Sequence, residues 1–208
     1  FPRDQQECLE KILNECQITK IAESAIYSYP RGDTEVKGPS IRLAEVIARN
    51  WGNFTSGVTE LDNRNGESVV KTYAWDLETN FSDEKIFTVK HERVTKKGTY
   101  ALTDPRDIYE LVANQGARRK RACIFAIIPS HVVDMAMEQC QKTLEESLAE
   151  EKIETVREKM LEAFGKLSEN ITKEVLEAKI GKPFDKFNTK DIIKLRNLYN
   201  AINDGFVK

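Results

Sequence analysis

Glu67-Ser-Val-Val-Lys-Thr-Tyr-Ala-Trp-Asp-Leu77 is the stretch on which the fold turns. Val69, Tyr73, Trp75 and Leu77 alternate with Val70, Thr72, Ala74 and Asp76, a period of two that predicts a β-strand running to about Glu78. Aromatics alternating on a central strand are expected in the core. Just upstream, Asn63-Arg64-Asn65-Gly66 supplies the positive φ of a tight hairpin, which makes Ser56 to Leu61 the preceding strand. Downstream, after a turn near Asn80 to Asp83, Lys85 to Arg93 reads as a third strand, with Ile86 and Thr88 alternating with Phe87 and Val89. Connections this short make the three strands antiparallel.

Helical patterns flank the sheet. Residues 5 to 26 carry Leu9, Ile12, Leu13, Cys16, Ile21 and Ala25 near a 3.6 period and read as one helix. Tyr29-Pro30-Arg31-Gly32-Asp33 ends it, giving a loop or short hairpin up to Gly38-Pro39. Pro39 and Ser40 open a second helix whose stop is Gly52. After the strands, Thr95 to Thr103 reads as a basic, glycine-containing loop. Asp104-Pro105-Arg106-Asp107 then starts a long helix that Pro129 ends. Asp134 to about Glu151 is helical and increasingly acidic, followed by helices over about 153–167, 172–180 and 189–203. The expected fold is α+β: a three-stranded antiparallel sheet packed against a long basic helix with flanking helices, plus a small C-terminal three-helix unit. The expected division is residues 1–150 and residues 151–208, with Phe164, Phe184, Phe187 and Tyr199 as the core of the tail.

Composition narrows the function. The 208 residues are 40% apolar and 32% charged, with nine Phe, six Tyr and two Trp, which excludes full disorder. No apolar run approaches the ~18–20 residues of a membrane span. Opening on Phe1-Pro2 rather than on Met, the chain reads as an internal fragment. Cys8, Cys16, Cys123, Cys140, His91 and His131 lack zinc-ligand spacing, and the cysteines read as reduced structural residues of a cytoplasmic protein, Cys123 as a buried thiol. There is no phosphate-binding glycine loop and no recognisable nucleophile–histidine arrangement, so neither a cofactor nor an enzymatic activity is expected. Asp33-Thr-Glu35-Val-Lys37 and Asp83-Glu84-Lys85 are the only local candidates for a metal nuclease, and both are short and loop-like.

Charge is segregated. The net charge is -2, yet Lys85 to Arg121 holds ten basic residues against four acids, so this window is +6 and the rest -8. A basic stripe on an acidic protein points to a polyanion, or else to a solvated charged face. On the long helix, Ile108, Leu111, Val112, Ala122 and Ala126 cluster on one side, with Gln115 and Arg119 inside it. Asn114, Arg118 and Arg121 form the adjoining stripe, and Lys120 points the other way. Arg119 on an inward stripe needs either a carboxylate, such as Asp76 or Glu78, or a polar groove in which a guanidinium binds phosphate. Gly116 in mid-helix marks close approach of another backbone.

With those residues in view, the chain resembles the phage single-strand annealing proteins of the Red-beta, RecT and Erf type and the related eukaryotic annealing protein of the Rad group. The resemblance covers roughly residues 20 to 145 and is one of element order. It rests on Gly38-Pro-Ser-Ile-Arg-Leu-Ala-Glu-Val-Ile-Ala-Arg-Asn-Trp-Gly52, Val69 to Leu77, and Ala113-Asn-Gln-Gly-Ala-Arg-Arg-Lys-Arg-Ala122. It implies an ATP-independent protein of homologous recombination that holds single-stranded DNA, and then the annealed duplex, in a basic groove. The DNA-binding positions it implies are Arg118, Arg119 and Arg121, then Lys96, Lys97, Lys90 and Arg93, and Arg42 and Arg49 before the sheet. Tyr73 and Trp75 are alternatives for base contact. The resemblance also implies a homo-oligomer (ring or helical filament) and a phage protein acting in the bacterial cytoplasm, with no membrane partner. Through residues 151–208 it implies docking to a host single-strand-binding protein or a phage exonuclease. The competing readings are a metal-dependent DNA nuclease and a phage adaptor whose basic helix serves a protein interface.

Overall fold

The computed structural model describes residues 2–95 and 98–206. The elements run α1 (Gln5–Cys16), α2 (Thr19–Ala25), β1 (Ile26–Arg31), β2 (Thr34–Pro39), α3 (Ile41–Trp51), β3 (Phe54–Arg64), β4 (Glu67–Asp76) and β5 (Phe81–Lys90). They continue with β6 (Glu92–Thr95), β7 (Gly98–Ala101), α4 (Pro105–Ile127), α5 (Ser130–Glu150), α6 (Ile153–Leu167), α7 (Lys173–Ile180), a 3-10 turn at Phe184–Lys186, and α8 (Thr189–Asn203). The fold is α+β, as expected. No helix among the described residues is long and apolar enough to cross a membrane.

Packing groups Phe1–Ile12 with Ala44–Val133 in one compact unit, and Leu13–Leu43 with Asp134–Lys208 in another. This differs from the expected division at residue 150. The tail helices share their core with residues that precede the sheet: the Asn200 amide on α8 donates to the carbonyls of Glu23 and Ile26, both at 2.8 Å. The Phe206 ring stacks on Tyr27 at 4.3 Å. Phe164 and Phe187 are buried, as expected of the tail core.

In the first unit, β3, β4 and β5 form an antiparallel sheet in that order. Asn65 and Gly66 take positive φ (55° and 76°) and close the β3–β4 hairpin. Helix α4 crosses one face of this sheet. Its start is fixed by the Asp104 carboxylate, which accepts from the Arg106 backbone N–H at 2.7 Å, and by Pro105 at the first helical position.

Several expectations are corrected. The helix over 5–26 breaks at Gln17 and Ile18, where the β-branched pair Ile18-Thr19 weakens helical propensity. The loop over 95–103 contains most of a further hairpin, β6–β7, with Arg93 opposite Tyr100. Its base is fastened at buried His91, whose Nε2 lies 2.7 Å from the Ser68 hydroxyl. On α4 the buried residues are Gly116, Cys123 and Ile124, while Ala122 and Ala126 are exposed. Close approach at Gly116 is real but comes from a side chain: a Cβ there would lie 2.7 Å from Val58 Cγ1. Trp75 is 42% exposed, so the Tyr73–Trp75 face of β4 is the open one, and the buried face is Ser68, Val70, Thr72, Ala74 and Asp76. Asp83, Glu84 and Lys85 lie within β5 rather than in a loop.

Candidate nucleic-acid interface

The basic residues sort by whether a carboxylate already neutralises them. Lys120 reaches Glu45 on α3 at 2.7 Å. Lys85 pairs with Asp83 on its own strand and approaches the Cys123 thiol at 3.8 Å. The Asp83 hydrogen bond raises the pKa of Lys85 and, reciprocally, Lys85 lowers that of Asp83. Burial pushes the Cys123 thiol up, so it stays protonated beneath the helix.

Arg119 differs from both. Its Nη1 donates to the Gln115 side-chain oxygen at 2.7 Å and to the Gln115 carbonyl at 3.1 Å. The guanidinium lies over the Phe87 ring of β5, 3.9 Å from the centroid. No carboxylate among the described residues stands within ion-pair distance of it. Burial pulls its pKa below the ordinary arginine value, yet a guanidinium remains charged throughout the working pH range. Neutral oxygens orient this cation and an aromatic face supports it, leaving its charge available to an incoming anion.

Asp76, one of the carboxylates considered as a partner for Arg119, is taken by another residue. Asp76 is bound by Arg3, whose Nη1 and Nη2 donate to its two oxygens at 2.9 and 3.0 Å. Arg3 also donates to the Trp51 and Gly52 carbonyls at 2.6 and 2.9 Å and sits 4.8 Å above the Trp51 ring.

No protein-family model, curated protein or solved structure matches this chain. The site is therefore read from its own geometry. Arg118 and Arg121 are half-buried on α4, each engaged in interactions of its own. At 100° per residue the run from Arg118 to Arg121 fans around the helix and does not form one wall. Lys90 and Arg93 are exposed, but Lys90 projects from the open face of the sheet, opposite to Phe87 and Arg119. Lys96 and Lys97 lie outside the described residues. Arg49 is exposed near the end of α3. Arg42 falls in the second unit, 2.8 Å from Asp204. The residues that sequence reasoning missed are Phe87, as the platform for Arg119, and Arg3, as the partner of Asp76. Phe87 shares its β5 face with Phe81 and lies in register with Val70, on the side that α4 covers.

Proposed function

We propose that this chain is an ATP-independent single-strand DNA annealing protein, in which α4 and the adjoining strand β5 grip the phosphate backbone. The observation that carries this reading is Arg119, a charge presented on Phe87 without a neutralising carboxylate. Two strands of DNA repel through their phosphates, and a cationic surface cancels part of that repulsion. If the backbone is held and the bases stay free, pairing with the complement drives the reaction and no nucleotide is hydrolysed. The basic window from Lys85 to Arg121 supplies the surrounding field.

Self-assembly into rings or filaments belongs to the same reading. It is supported by the β3 and β5 edges, each paired on one side only among the described residues, and by exposed Leu61, Phe81 and Ile86 on those strands. Docking of a host single-strand-binding protein or an exonuclease to residues 151–208, and action in the cytoplasm of a phage-infected bacterium, complete the proposal. The test is fluorescence anisotropy of a labelled oligonucleotide at several salt concentrations. Binding should be indifferent to sequence, with log K falling by about 0.7 per neutralised phosphate for each unit of log salt. Binding that ignores salt would overturn it.

A further inference from the structure

In the second unit, α2, α6 and α8 enclose a cleft of about 560 Å³, within the range of roughly 300–1,000 Å³ usual for small-molecule sites. Four cations line it, Lys20, Arg42, Lys159 and Arg196, against two carboxylates, Glu23 and Glu151, so the lining carries +2. Three of the cations hold carboxylates at 2.8 Å: Arg196 with Glu23, Lys159 with Glu151, and Arg42 with Asp204. The Glu23 and Glu151 side chains are each 43% exposed. Those two ion pairs are wet enough to exchange for another anion, whereas Asp204, 10% exposed, stays with Arg42 and offsets one unit of the lining charge. Lys20 has no carboxylate within ion-pair distance among the described residues.

The remaining lining selects what kind of anion fits. Arg42 and Arg196 offer planar donor forks, which match phosphate oxygens better than a point charge does. Tyr199, held edge-on by Phe164 at 5.7 Å, contributes an aromatic wall beside Met160. Exposed Asn203 presents an amide donor and acceptor side by side, the complement of a base edge. An acidic peptide would match the charge but leave Asn203 unused.

We propose that this cleft binds a nucleoside phosphate, with the phosphate on Lys20, Arg42 and Arg196 and the base against Tyr199 and Asn203. The ligand is either a free nucleotide or a nucleotide within a DNA strand. None of these residues belongs to the unit that carries Arg119, and the inference does not depend on the annealing reading.

The test is an NMR titration of the full chain, observing backbone amides, with 5′-dAMP, inorganic phosphate and an Asp-rich hexapeptide as separate probes. We expect 5′-dAMP to shift the amides of Lys20, Arg196, Tyr199 and Asn203 and to bind more tightly than inorganic phosphate. The exposed double charge reversal Lys20→Glu with Lys159→Glu should weaken 5′-dAMP about tenfold, and Glu151→Gln should tighten it by removing a competing carboxylate. A hexanucleotide added to an Arg119→Glu variant identifies the source: shifts at the same amides support a strand nucleotide, and shifts with 5′-dAMP alone support a free one. No shift with 5′-dAMP, equal affinity for phosphate and 5′-dAMP, an unchanged constant in the folded double variant, or tighter binding of the peptide would each overturn the proposal.

Discussion

Arg119 and Arg3 solve the same physical problem in opposite ways. Both are arginines placed on an aromatic ring, but Arg3 is saturated by two carboxylate oxygens and two carbonyls, whereas among the described residues Arg119 has only the oxygens of Gln115. The first arrangement holds the fold together and the second leaves charge to spare. Arg119→Ala should therefore weaken oligonucleotide binding about tenfold at low salt and reduce the salt slope by about 0.7, with the melting curve little changed. Arg119→Lys should recover only part of the loss, since an ammonium does not lie flat on Phe87. Arg3→Ala should act on stability instead. The Arg3 and Asp76 side chains are each 4% exposed, and removing one partner of a buried pair costs about 3–5 kcal/mol. Burial alone would raise the Asp76 pKa. The Arg3 guanidinium and the backbone N–H groups of Glu78 and Thr79 outweigh it and hold the carboxyl below the ordinary range. The sign follows: Asp76 stabilises the fold fully above the unfolded value of about 3.9, and the contribution disappears as pH falls through the lower folded value. Urea titrations should show this acid-side loss in the native protein and not in Asp76→Asn. The Arg3–Asp76 pair spans 73 residues of sequence, so no local pattern announces it.

At the scale of elements, boundaries were legible where side chains cap or break the chain, and faces were not. Asp104-Pro105 marks the start of α4, and Asn65-Gly66 marks the β3–β4 turn, because both act through local backbone geometry. Alternation on β4 announced two faces without saying which one a helix would cover. Helix α4 took the face of Ser68, Thr72 and Ala74, whose small side chains allow close approach, and left Tyr73 and Trp75 on the open side. Alanines misled the reading of α4 because Ala122 and Ala126 suit an exposed helix face as well as a buried one. Gly116 is the position at which this packing is most exacting. An alanine there gains about 1 kcal/mol of helix propensity but meets Val58, an overpacking cost of about 1–3 kcal/mol. Gly116→Ala should thus be destabilising in the native background and stabilising beside Val58→Ala. A double-mutant cycle by chemical denaturation measures the coupling; additivity would place the contact elsewhere.

For the whole molecule, the instructive difference lies in the chain's partition. Composition and charge suggested a tail that begins at residue 151, but long-range hydrogen bonds such as Asn200 to Glu23 and Ile26 tie α8 to α2 and β1. Sequence periodicity reports on the neighbours of a residue along one element, and contains no term for a partner more than 170 positions away. A fragment of residues 151–208 should therefore lack a cooperative thermal transition by circular dichroism. A sharp transition in that fragment would show that its helices need no help from residues 13–43. The proposed annealing, too, would be a property of the whole chain, because it requires that gripping the backbone and freeing the bases occur together. The most direct measurement is the rate at which two complementary fluorescent oligonucleotides pair without ATP, across a salt series, with the native protein and with Arg119→Glu. We expect the native protein to accelerate pairing at low salt without cleaving either strand, and Arg119→Glu to lose most of that acceleration while remaining folded. An unaccelerated native protein, or an Arg119→Glu variant that anneals at the native rate, would contradict the assignment.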